Sequence, residues 1–162
     1  MLVPLFSFSL VVAVAFPAVA DAPEPVAFET SRLVIGGGGI DGGGREYSFM
    51  VELALSERQR ARGMMFREKL ADDAGMLFLY EGEAARAMWM KNTALSLDIL
   101  FFDRDGRIIR IEHGATPYSR RPIPSGGPAR GVLELAGGTA RGLGIVAGDR
   151  IIHPLLEEAS AK

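Results

Sequence analysis

The chain's single tryptophan, Trp89, stands between Met88 and Met90 and is followed at once by Lys91, Asn92 and Thr93, with a lone acid at Asp98 a few residues further on. An indole wall beside an ammonium, an amide, a hydroxyl and a carboxylate is the usual make-up of a small-ligand pocket, with apolar surface for contact and a few polar groups for orientation. Arg62 offers a second cation, Ser125 a second hydroxyl and Glu134 a second acid. The candidate ligand-binding set is therefore Arg62, Trp89, Lys91, Asn92, Thr93, Asp98, Ser125 and Glu134.

Each of these residues also has a plainer reading. Asp98 lies in Leu-Asp-Ile-Leu-Phe-Phe, apolar on both faces, so the strand is expected to be covered on both sides. An acid there is costly unless Lys91, Arg62 or backbone N–H groups pair with it, and a paired buried acid is often structural. Glu134 alternates against apolar neighbours in Val-Leu-Glu-Leu, which by pattern alone points it at solvent. Ser125, inside Pro-Ile-Pro-Ser-Gly-Gly-Pro, reads as part of a rigid loop.

Other chemistries fit less well. Met64, Met65, Met76, Met88 and Met90 offer soft thioethers of the kind that select Cu(I), yet methionine fills irregular gaps in cores equally well. His113, Ser125, Glu134 and Asp98 supply the side-chain types of a hydrolytic triad, but Ser125 lacks a nucleophile-elbow setting, and the two histidines have no zinc spacing. The glycine-rich run at residues 36–44 is not followed by the Lys-Ser/Thr of a phosphate loop and reads as a hairpin tip. No catalytic residue, metal or cofactor is assigned.

Residues 1–20 carry no charged side chain, have an apolar centre and end in Ala18-Val19-Ala20, as a cleaved secretory signal peptide would. An exported protein, periplasmic or extracellular, is expected, with no membrane span in the mature chain. Residues 21–27 read as a flexible lead-in and residues 28–158 as one β-rich domain, a length that can bury a sizeable core. With no cysteine, that domain holds itself by burial rather than disulfides. Eighteen Lys and Arg against twenty Asp and Glu give a formal charge of −2, which offers no nucleic-acid footprint. The expected partner is a small molecule or a peptide.

Short alternating runs near residues 30–35, 47–55, 75–80, 87–91, 97–103, 107–112, 131–135 and 150–154 read as strands separated by turn residues. Ser56 with Gln59 three residues on forms a capping box for a short helix that Gly63 would stop, and residues 139–143 suggest a second helical turn. The fold class is mainly β: a compact β-sandwich or barrel-like domain with one or two short helices.

Four ordered blocks, "ERQRARGMMFREKLADDAGMLFLY", "MWMKNTALSLDILFFDRDGRII", "IPSGGPARGVLEL" and "AGGTARGLGIVAGDRI", resemble a large bacterial and archaeal family known as domain of unknown function 192. Met90 to Thr93 and Leu97 to Ile99 match its Met-Lys-Asn-Thr and Leu-Asp-Ile runs position by position, and Met64 stands where the family commonly has leucine. The resemblance implies a compact, mostly β fold and an export leader, and it carries no activity. Taken together, the residues favour an exported, non-catalytic module that binds a small ligand or peptide. An envelope enzyme, an assembly protein and a methionine-based copper binder are the rivals.

Overall fold

A computed structural model describes residues 25–38 and 44–160. Residues 1–20, read above as a signal peptide, most of the expected lead-in and the tip of the glycine run lie outside the described residues. Alternation builds the strands: β1 (Glu29–Gly38), β2 (Gly44–Ala54), β3 (Ala74–Met88), β4 (Leu97–Phe102), β5 (Ile108–Ala115), β6 (Ile123–Ala136) and β7 (Arg150–Ile152). They form one sheet in the order β5-β4-β6-β3-β2-β1-β7. Every neighbouring pair is antiparallel except β2 and β3, whose parallel pairing needs a crossover. The helix α1 (Glu57–Arg62) lies in that crossover.

The sheet curls until its edges touch at one corner. There Ile108 N–H donates to the Asp149 carbonyl, Gly148 N–H to that of Ile108 and Ile151 N–H to that of Gly106, each at 2.8 Å. All seven strands send side chains into one core inside the curl, among them Ile35, Val51, Leu77, Leu133, Leu100 and Ile151. A second core lies on the opposite face of the central strands, where Met76, Phe78, Ile99, Phe101 and Val132 are covered by Met64 and Met90. Each such fully buried side chain contributes roughly 1.5–3 kcal/mol. Central strands covered on both sides explain why LDILFF is buried at every position.

The mainly β expectation holds: the domain is one curled, open seven-stranded sheet with short helices. Several element expectations need correction. Residues 75–80 and 87–91 are not two strands: β3 runs through to Met88, and Lys91-Asn92 forms a turn. The Pro-Ile-Pro-Ser-Gly-Gly-Pro run is not a loop: from Ile123 on it is the first half of β6, pairing with residues 85–88 of β3 across one register shift. Prolines are tolerated in this arm because its pairing with β3 is irregular. The glycine run sustains β1 through Gly38, paired with Gly44. A third helix, α3 (Pro154–Ser160), begins where a strand was expected to end. Pro154 suits a first helical position, where its missing N–H is not needed.

Candidate functional site

Three segments converge on the outer face of the central strands. The first is α1 and the residues after it. Ser56 Oγ accepts from Gln59 N–H, and the Gln59 side chain accepts from Ser56 N–H, so both halves of the capping box form. The helix ends at Gly63, whose φ is +47° and whose missing Cβ leaves room for Phe78, 3.3 Å from where that carbon would stand. The backbone can therefore turn tightly onto β3 and deliver Arg60, Arg62, Met64 and Met65 to one place. Arg60 donates to the carbonyls of Leu55 and Leu79, which fixes its guanidinium.

The second segment is the turn after β3. Thr93 N–H closes it on the Met90 carbonyl at 3.2 Å, and Asn92 takes a left-handed φ of +54°. The turn presents Lys91 and Thr93 on the same side as Met88 and Trp89.

The third is β6, which supplies Glu134. Its cross-strand partners are Met76 and Ile99, so its side chain enters the outer core and not solvent. Glu134 is 3% exposed, which corrects the solvent-facing reading. Alternation does set the face Glu134 takes, but that face is covered by another layer.

These residues enclose a narrow cleft of about 30 Å³ lined by Arg60, Arg62, Met64, Met65, Phe78, Met88, Trp89, Lys91, Thr93 and Glu134. That volume admits a head group of a few atoms, since one water needs roughly 10–15 Å³. Five of the eight sequence-derived residues meet here: Arg62, Trp89, Lys91, Thr93 and Glu134. A sixth, Asn92, borders the cleft, with its Nδ2 3.8 Å from Met65 Sδ.

The other two do not join it. Asp98 pairs with Leu135, so it lies on the face of the sheet opposite to Glu134. It is fully buried and accepts three backbone N–H bonds, from Gly114 at 2.8 Å, Gly138 at 3.1 Å and Ala140 at 2.8 Å. It thereby caps α2 (Thr139–Leu143), whose own N-cap is the side-chain-less Gly138. Of the pairings open to Asp98, the backbone is the one that forms. Ser125 Oγ donates to the Gly127 carbonyl at 2.6 Å and accepts from Arg86 N–H at 3.0 Å. No hydrogen bond links Ser125, His113 and Glu134.

Electrostatics single out Glu134. Burial pushes its carboxyl from an ordinary 4.5 up to about 8, so it is mostly protonated at neutral pH. Among the described residues it has no hydrogen-bond or ion-pair partner. The neighbouring Tyr80 phenol is raised by burial, against the lowering effect of Arg86 and Arg60, and Glu134 raises it further. At the mouth, Lys91 Nζ lies 5.2 Å from the Trp89 ring and the Arg62 guanidinium 4.6 Å from the Phe66 ring. Neither cation has an ion-pair partner among the described residues. A neutral proton donor at the floor and two cations on aromatic rings at the mouth suit a group that accepts hydrogen bonds.

A larger hollow, about 420 Å³, lies at the corner where the sheet edges meet, beside Arg104, Asp105, Arg150, His153 and Glu157. It contains none of the sequence-derived residues, and its one buried titratable group, His153, is engaged with Ser31 Oγ at 3.0 Å. Among the described residues no cluster of His, Asp and Glu has metal-binding geometry, and no helix is long and apolar enough to cross a membrane.

A curled, mainly β domain with a buried acid beneath a cationic, aromatic cleft is the class that fold and site define. The family model for DUF192, described as "Uncharacterized ACR", matches residues 40–153, and the chain belongs to that family. Among solved structures, it is similar to a candidate transcription regulator of Sinorhizobium meliloti 1021 at 41% identity and a TM-score of 0.73, covering 79% of this chain and 96% of that one. It is also similar to a protein of unknown function from Novosphingobium aromaticivorans DSM 12444, at 34% identity and a TM-score of 0.71, covering 84% and 99%. No curated protein matches.

Proposed function

We propose that this domain is an exported binding module whose cleft above Glu134 captures the head group of a small molecule or peptide. The observation that carries this reading is the Glu134 carboxyl itself. The carboxyl is held un-ionised by its apolar surroundings and lines the cleft, where a ligand's hydrogen-bond acceptor can reach it. Trp89, Lys91, Arg62 and Thr93 give the entrance an apolar wall and directional groups. Export rests on the sequence of residues 1–20.

The same neutral acid favours a second reading, in which Glu134 passes its proton to a bound substrate. Glu134→Gln would then abolish turnover and leave binding in place. A DNA-regulatory role, suggested by the name of the Sinorhizobium relative, would call for clustered Lys and Arg in excess. The sequence has 18 of them against 20 acids.

The test is to compare native and denatured mass spectra of residues 21–162 purified from an envelope fraction, with Glu134→Gln as a second sample. An organic adduct on the native parent protein that denaturation releases and Glu134→Gln weakens supports the reading. A bare mass in both spectra, together with no thermal shift from anionic, neutral or cationic small probes, removes it.

A further inference from the structure

Among the described residues three non-glycine residues stand at left-handed φ: Phe66 at +65°, Asn92 at +54° and Tyr118 at +60°. All three are tied to one turn. Phe66 N–H donates to the Asn92 carbonyl at 2.8 Å, and Tyr118 N–H donates to the Thr93 carbonyl at 3.0 Å. Such a backbone costs roughly 1–3 kcal/mol per residue and clusters at functional sites, where the surrounding structure enforces it.

Phe66 is 61% exposed and Trp89 49%, both large aromatic surfaces left in water beside the cleft mouth, each carrying a cation that pairs with no acid among the described residues. Guanidinium and ammonium groups above ring faces keep their outer N–H groups free for an anion. Three observations thus converge: unpaired positive charge at the mouth, an un-ionised hydrogen-bond donor at the floor, and flat apolar surface around the rim.

On the reading that the cleft is a ligand site, we infer that its ligand is an organic carboxylate carried on a flat or apolar body. The carboxylate enters between Lys91 and Arg62 and accepts the Glu134 proton as a hydrogen bond, and the body rests on Trp89 and Phe66. A cationic ligand meets like charge at the mouth. A neutral amide forgoes the ionic attraction. Free organic acids and the carboxyl termini of peptides share this chemistry.

The experiment titrates the protein at pH 6.5 with benzoate, benzamide and benzylamine, which have similar bodies and differ in head-group charge. A tripeptide ending in phenylalanine, as free acid and as amide, separates the two sources of carboxylate. Benzoate is expected to bind at least about tenfold more tightly than the other two, and Lys91→Gln to weaken it by roughly ten- to a hundredfold. If the tripeptide acid outbinds benzoate and its amide does not bind, the natural ligand is a peptide terminus; the reverse order marks a free acid.

Raising the pH to 9 should weaken benzoate in the parent protein, because ionised Glu134 repels it. Glu134→Gln should lack that loss. The charged and titratable groups facing Glu134 are Tyr80 from β3, Arg60 and Arg62 from α1 and Lys91 from the turn, so a pH effect that survives in Glu134→Gln belongs to Tyr80 or Lys91 and overturns the assigned floor. Benzylamine or benzamide binding as tightly as benzoate overturns the carboxylate class. If no carboxylate binds and a native adduct of another class is found, the ligand class falls and the cleft stands. If neither appears, both fall.

Discussion

Phe66 and Asn92, 26 positions apart, share one hydrogen bond and one kind of strained backbone: the Phe66 amide donates to the Asn92 carbonyl at 2.8 Å, and both residues hold positive φ. This bond ties the segment after α1 to the turn after β3, the two segments that supply Met64, Met65, Lys91 and Thr93 to the cleft. Asparagine tolerates the left-handed region where alanine does not. Asn92→Ala should lower unfolding free energy by about 1 kcal/mol, and Asn92→Gly should change it by less than about 0.5 kcal/mol. Urea denaturation of the two variants checks the pair. Equal losses would mean that the Asn92 side chain matters and its backbone does not.

Asp98 and Trp89 should separate cleanly. Asp98→Ala strands three backbone N–H groups, each worth roughly 1–3 kcal/mol when unpaired, so a loss of about 3 kcal/mol or more is expected. Trp89→Ala removes a half-exposed ring and should cost less than about 1 kcal/mol. Thermal unfolding of both variants decides it. An Asp98→Ala protein as stable as the parent would contradict the capping role.

Glu134 should make the fold less stable as pH rises. Its folded pKa, about 8, lies above the ordinary 4.5, so the folded state holds a proton that the unfolded state has released. Its stabilising effect is fully present below pH 4.5, declines by up to about 1.4 kcal/mol per pH unit and is gone above pH 8. Glu134→Gln, which stays neutral, should lack this slope and exceed the parent in stability at pH 8. Chemical denaturation at pH 5, 6.5 and 8 measures it.

His153 gives the opposite sign. Burial lowers its pKa from 6.5, and its neutral ring is used on both sides: Nδ1 accepts from Leu155 N–H at 3.3 Å while Nε2 faces Ser31 Oγ at 3.0 Å. A depressed folded pKa means stability that is present above 6.5 and lost as pH falls through the folded value. In a Glu134→Gln background, His153→Asn should flatten the acid limb between pH 6.5 and 4.5. An unchanged limb would assign it to carboxylates elsewhere.

What could be read from the sequence divides along a physical line. Local signals were legible: Ser56 and Gln59 form the capping box that their spacing implies, residues 139–143 are helical, and LDILFF is buried on both faces. Of the candidate site residues, Arg62, Trp89, Lys91, Thr93 and Glu134 come together along one cleft.

What failed depended on the third dimension. Alternation told which way Glu134 points relative to Leu133 and could not tell that Met64 and Met90 would roof that face. Asp98 looked like a pocket acid because the amides that satisfy it come from residues 16 to 42 positions away. The prolines of β6 suggested a loop because its irregular pairing with β3 is a tertiary event. Phe66 and Tyr118 were missed altogether: nothing in composition marks an aromatic residue as exposed, and only the backbone reveals their left-handed φ.

The most direct test is NMR of the glutamate Cδ carbons in ¹³C-labelled protein, with Glu134→Gln supplying the assignment, titrated from pH 4 to 10 with and without benzoate. The Glu134 resonance is expected to titrate near pH 8 and to shift when benzoate is added at pH 6.5. A Glu134 that titrates in the ordinary range near 4.5 and ignores benzoate, benzamide and benzylamine alike would contradict the cleft as a ligand site.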